Sequence, residues 1–171
     1  HGPKGIIHVL QNLDKELVYD IFAKEIDKLF SDNMIEKNDV GCVCNFQSFP
    51  SSNAISLTKN IVDGILYSKD IKLRPVPSTY SKEWPAVIAL QMLKDGGYKM
   101  RGNDPMMREM YNMNPDFEID VEDLYLAMSR ARVKFTVIMF PAEGFTLDDC
   151  SRMKNVLDKL GQEGSVEIKK Y

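Results

Sequence analysis

The run KFTVIMF, Lys134–Phe140, constrains this chain more than any other feature. It is apolar at nearly every position, so it has no face fit for solvent. A strand of that kind belongs in the middle of a parallel sheet that is covered on both sides. Parallel strands need crossover connections, normally helices, so the rest of the chain must supply them.

It does. GIIHVL (Gly5–Leu10) reads as a first strand. Asp14 is placed to cap a helix, with Glu16 in its first turn. Leu17, Ile21, Phe22, Ile26, Leu29 and Phe30 follow at helical spacing. After a turn at Asn38–Asp39 comes a second strand, VGCVC (Val40–Cys44). Ser51 or Ser52 caps a second helix reaching about Tyr67, with Ile55, Thr58, Ile61, Val62, Ile65 and Leu66 as its stripe. IKLRPVPST is a third strand weakened by Pro75 and Pro77, which cannot donate to a ladder. PAVIAL (Pro85–Leu90) is a fourth, and VEIKK closes the chain as a sixth.

Residues 94–119 read as a long irregular loop with a short helix around Pro105–Met113. Asp120 then caps a helix with the stripe Val121, Leu124, Tyr125 and Met128, which leads into KFTVIMF. Thr146 caps a last long helix, with Gly161 just past its end. Strands alternating with helices predict an α/β domain with a mostly parallel sheet, one domain over residues 1–171.

Composition narrows function mainly by exclusion. A chain of 171 residues can bury a sizeable core. Its formal net charge is -3, so the surface as a whole does not advertise nucleic acid, although a local basic face can still bind it. Cys42, Cys44 and Cys150 form no CxxC pair, and with only His1 and His8 beside them a metal site is not expected. They read as buried thiols of a reducing, intracellular compartment. No apolar run approaches the roughly 20 residues that span a bilayer, and no signal peptide is visible. There is neither a Gly-rich phosphate loop nor a Ser/His/Asp arrangement. The chain lacks the parts of a self-sufficient catalyst.

Two arginines stand out against this background. At 100° per residue, Arg130 lies about 180° from Val121 on the helix wheel, away from the apolar stripe. A guanidinium so placed can face a cleft and grip phosphate. Arg132 falls nearer the stripe in the last turn, where a cation offsets the helix dipole.

DLYLAMSRARVKFTVIMF resembles motif VI of superfamily 1 helicases of the UvrD/Rep type, through Tyr125, Ala127, Ser129, Arg130, Ala131 and Arg132. STYSKEWPAVIAL is similar to motif V, through Thr79, Lys82, Glu83, Trp84, Pro85, Val87 and Ile88. GPKGIIHVL, AKEIDKLF and NDVGCVC resemble the segments leading to motif IV. The motif regions are 40–53 (IV), 76–90 (V) and 121–140 (VI). The resemblance implies the second RecA-like domain of a helicase, a three-layer α/β/α sandwich.

The resemblance also implies roles for particular residues. By it, Arg130 is the finger that reaches ATP across a cleft shared with a first RecA-like domain. Glu83 contacts the nucleotide ribose region, and Ser78, Thr79, Tyr80 and Lys82 contact single-stranded DNA. ATP and Mg²⁺ are then the cofactors of the intact protein. The partners are the first domain and single-stranded DNA, with no membrane, in cytoplasm or in nucleoid or nucleus. The sequence departs from the family at Asn45, where motif IV carries an arginine, and in motif V, which lacks the Gly-Leu before Glu83 and a histidine. These departures also suit a catalytically degenerate interaction module that binds a protein partner or nucleic acid.

Overall fold

The computed structural model describes residues 4–46, 52–79, 82–93 and 119–171. The expected short helix at Pro105–Met113, and all but the last residue of the 94–119 loop, lie outside the described residues. Six strands, β1 (Lys4–Val9), β2 (Val40–Cys44), β3 (Leu73–Pro75), β4 (Trp84–Leu93), β5 (Ala131–Pro141) and β6 (Val166–Lys170), form one sheet in the order β3-β2-β4-β5-β1-β6. Every pairing is parallel. β5 lies between β4 and β1, the covered interior position its composition requires, and Phe135 and Val137–Phe140 are all buried.

Helices close both faces, giving three layers. On one side α1 (Lys15–Phe30) and α2 (Ser52–Ile61) cover Ile88, Leu90, Ile138 and Phe140. On the other, α4 (Ile119–Ser129) and α5 (Ser151–Glu163) cover Val87, Ala89, Val137 and Met139. The short α3 (Tyr67–Lys69) continues α2 through a wide, π-helical turn at Val62–Leu66. The Tyr19 hydroxyl of α1 lies against Gly64 in that turn, where a Cβ would stand 2.7 Å from it.

Local signals explain most boundaries. Asp14 caps α1 by accepting from Leu17 N at 3.1 Å. The expected cap by Ser51 or Ser52 lies outside the described side chains. Three expectations shift. Thr146 heads a single 3₁₀ turn, Leu147–Asp149, with Asp149 accepting from its backbone N–H, and α5 starts at Ser151. That helix runs through Gly161 and ends at Gly164, whose φ of +76° makes it the left-handed cap. Asp120 is the second residue of α4, buried, with its carbonyl accepting from Gln91 Nε2 at 2.7 Å.

His8, on the buried side of β1, is a core residue as its setting suggests. Its Nδ1 lies 2.7 Å from the Tyr171 hydroxyl, and its Nε2 lies 3.3 Å from Glu25 Oε1 on α1. Lys28 reaches the same carboxylate oxygen at 3.2 Å. The imidazole contact, and then Lys28, hold the Glu25 carboxyl below its ordinary range against the opposing effect of burial.

Candidate functional site

The motif-like segments meet at the edge of the sheet where the strands begin. α4 runs antiparallel to β5 and delivers Arg130 to that edge. Arg130 N donates to Ala127 O (3.2 Å), the last hydrogen bond of the turn. Its carbonyl accepts from Trp84 N at 2.9 Å, and Trp84 pairs with Ala131 across β4 and β5. The peptide that ends the helix is therefore also the first rung of the central strand pair. This fixes Glu83, which is exposed, beside half-buried Arg130.

Trp84 is held from the other side as well. Its indole lies flat on Gly41 of β2, where a Cβ would stand 2.3 Å from the ring. Only glycine leaves that space, so the placement of Trp84 depends on a residue two strands earlier in the chain.

The pairing then slips. Trp84 faces Ala131, but Ala86 faces Lys134, so Arg132 and Val133 both stand opposite Pro85. Pro85 has no N–H to offer, and the extra residue in β5 is a bulge at the point where the ladder lacks a donor. Arg132 is thereby corrected: it is an exposed strand residue in a bulge, outside the last turn of α4, and does not offset the helix dipole. Val133 is pushed out with it and is 63% exposed.

The loop before β4 is only partly described. Tyr80 lies outside the described residues, as does the side chain of Ser78. Thr79 is fully buried, and its hydroxyl donates to Val76 O at 2.6 Å. Its carbonyl accepts from Lys82 N at 3.0 Å. Thr79 thus shapes the turn that presents exposed Lys82, with its own side chain turned inward.

Asn45, one residue past the end of β2, sits at the opposite edge. Its Nδ2 donates to Met92 O (3.0 Å) and to Asp123 Oδ2 (3.3 Å), and Met92 N donates to its Oδ1 (2.8 Å). β2 stops at Cys44, paired with Leu90. The Asn45 amide replaces the missing backbone and adds one rung to the ladder. Asp123 and Arg130 are seven residues apart on the same rod, roughly 10 Å. Asn45 and Arg130 therefore face different ends of the domain. Nothing in the residue type alone signals this; its position one residue beyond a strand is the usable clue.

No described helix is long and apolar enough to cross a membrane. Among the described residues no three His, Cys, Asp or Glu side chains gather as a metal site. Among the described residues this edge brings together Arg130 and Glu83 but no ligand set for Mg²⁺. Cys42 is fully buried, and burial pushes its thiol up, so it is no nucleophile at neutral pH.

Fold and edge together define an α/β/α sandwich with a wholly parallel sheet among the described residues, consistent with a RecA-like domain. No protein-family model matches the sequence, and neither does any curated protein. Among solved structures the chain is similar to the C-terminal domain of a possible DNA helicase from Lactobacillus plantarum WCFS1, at 17% identity and a TM-score of 0.47, over 82% of this chain and 76% of that one.

Proposed function

We propose that this chain is the second motor-domain half of an ATP-dependent DNA helicase or translocase, working against a first RecA-like domain that carries the phosphate loop. The observation that supports this reading most is the bond from Trp84 N to Arg130 O, which ties the motif V and motif VI segments into one rigid edge. The backbone of an arginine on such an edge is already fixed toward a facing nucleotide site.

In the intact protein, bound ATP with Mg²⁺ supplies the phosphoanhydride bond that is cleaved. Arg130 places its guanidinium on the γ-phosphate and neutralises charge as it develops there. Glu83 orients the ribose. Lys82, with Ser78, Tyr80 and the backbone around Thr79, holds phosphates of single-stranded DNA, giving binding with little sequence preference. Such a protein works inside the cell, in cytoplasm or in nucleoid or nucleus.

DNA-stimulated ATPase of the intact protein tests this. Arg130→Ala should lower kcat about a thousandfold, the scale of an arginine finger, while leaving the affinity for single-stranded DNA unchanged. Equal losses in both remove the finger role. The 171-residue chain should hydrolyse no ATP by itself, and turnover by that chain would overturn the shared-site reading.

A second reading, a degenerate helicase-like module that binds a protein or nucleic acid, draws on Asn45. Its amide is committed to Met92 and Asp123 at the edge away from Arg130. An intact protein that binds DNA but never turns over ATP would favour it.

A further inference from the structure

Four cations crowd the strand starts of β1, β5 and β4. Lys4 opens β1 and pairs in register with Lys134 of β5. Arg132 is lifted outward by the bulge between Lys134 and Ala131. Lys82 precedes β4 by two residues and is exposed, as are Lys4 and Arg132. None of these four side chains makes an ion pair or hydrogen bond among the described residues. Some lysines elsewhere are paired, Lys28 with Glu25, Lys37 with Asp70 and Lys154 with Asp148, and others such as Lys24, Lys59 and Lys159 are not among the described residues, so what sets these four apart is their clustering.

This arrangement costs stability. Like charges directly opposite on neighbouring strands repel, and Lys4 and Lys134 are such a pair. A chain with a net charge of -3 has carboxylates enough to neutralise them, yet they stand unneutralised among the described residues. Neighbouring strands are about 4.8 Å apart and rise about 3.3 Å per residue, so Lys4 and Lys134 stand side by side, and Lys82, four residues before the Ala86 that faces Lys134, stands up to about 13 Å further along.

We propose that this row is a phosphodiester track: Lys4, Arg132 and Lys134 bind successive phosphates of a single-stranded nucleic acid and continue the contact made by Lys82. The track deepens the DNA-binding part of the motor reading but does not depend on the ATP site. It holds even where Arg130 has no nucleotide to meet.

The test is fluorescence anisotropy of the 171-residue chain with a labelled oligodeoxythymidine, titrated at several salt concentrations. A variant with Lys4→Gln, Arg132→Gln and Lys134→Gln should bind at least about tenfold more weakly. Its slope of log K against log salt should be shallower by about 2, since each single-strand phosphate contact contributes about 0.7. A control of equal charge change, Lys24→Gln, Lys59→Gln and Lys159→Gln, should leave both readings as they are. The charge-keeping set Lys4→Arg, Arg132→Lys and Lys134→Arg should retain binding, which separates charge from folding. The track is overturned if the first variant keeps the parent slope or if the control loses as much. It is equally overturned if polyglutamate competes as well as the oligonucleotide at equal charge. An intact parent protein that binds the oligonucleotide but shows no DNA-stimulated ATPase would sink the motor reading and leave the track standing.

Discussion

Asn45→Ala offers a sharp test of how the far edge of the sheet is built. The substitution strands the N–H and C=O of Met92, which is 2% exposed and loses both partners at once. A buried backbone group left without a partner costs about 1–3 kcal/mol. Two of them give about 2–6 kcal/mol, a large share of the roughly 5–15 kcal/mol typical of a domain, and Asp123 loses a donor as well. Urea unfolding followed by far-UV circular dichroism measures it directly. Asn45→Asp separates shape from hydrogen bonding. It keeps the acceptor for Met92 N, but it turns a carboxylate toward Met92 O and Asp123. At pH 7 it should be no more stable than the alanine variant. Those neighbours raise the new carboxyl's folded pKa, so stability should recover as the pH falls through it and the group becomes a donor. A cost below about 1 kcal/mol for Asn45→Ala, or an Asp variant as stable as the parent at pH 7, would refute the account. Asn45→Arg in the intact protein should not raise ATPase, because the new guanidinium would lie at the wrong end of α4.

Gly41→Ala should cost about 1–3 kcal/mol by overpacking against the Trp84 ring; because Trp84 is the sole tryptophan, its emission should shift with the displacement. An unchanged spectrum and melting temperature would remove Gly41 as the support of Trp84. Glu25 predicts an acid limb: its folded pKa is depressed, so its contribution is complete above the ordinary carboxylate value of about 4.3 and is lost as pH falls through the lower folded value. Glu25→Gln should be less stable at pH 7, and it should lose less stability than the parent as the pH falls from about 5 to about 3. Parallel pH profiles would show that the His8 contact contributes nothing.

The six strands and the sheet's parallel character were legible because each segment carries its own evidence. KFTVIMF needs no partner to announce burial, and Asp14 caps its helix with a residue three positions away. What sequence missed depends on distant chain. Ser-Arg-Ala-Arg reads as the last turn of a helix, because serine and alanine tolerate one and arginine favours one. The ladder from Trp84 claims Ala131 for the sheet instead and pulls Arg132 with it. The bulge is invisible locally, since its cause, Pro85, stands in another strand. The Tyr171–His8 contact joins residues 163 positions apart. At the candidate site, Arg130 and Glu83 were legible as neighbours only through the motif resemblance. The inward turn of Thr79 was not legible, because a threonine in a loop looks the same whether its hydroxyl faces solvent or Val76.

The π-helical turn at Val62–Leu66 bears on how this chain should be compared with others. A wide turn holds one residue more than the α-helical turn it replaces, so Ile61 and Tyr67 keep helical neighbours on each side although the count between them is out of step. Any alignment to a relative with a regular helix here must open a one-residue gap between those two positions. Without it, every residue from Tyr67 to Thr79 would be matched to the wrong neighbour, including those leading into the Lys82 loop. Deleting Gly64 is the corresponding experiment in the laboratory, since it would return the helix to uniform pitch and release the Tyr19 hydroxyl.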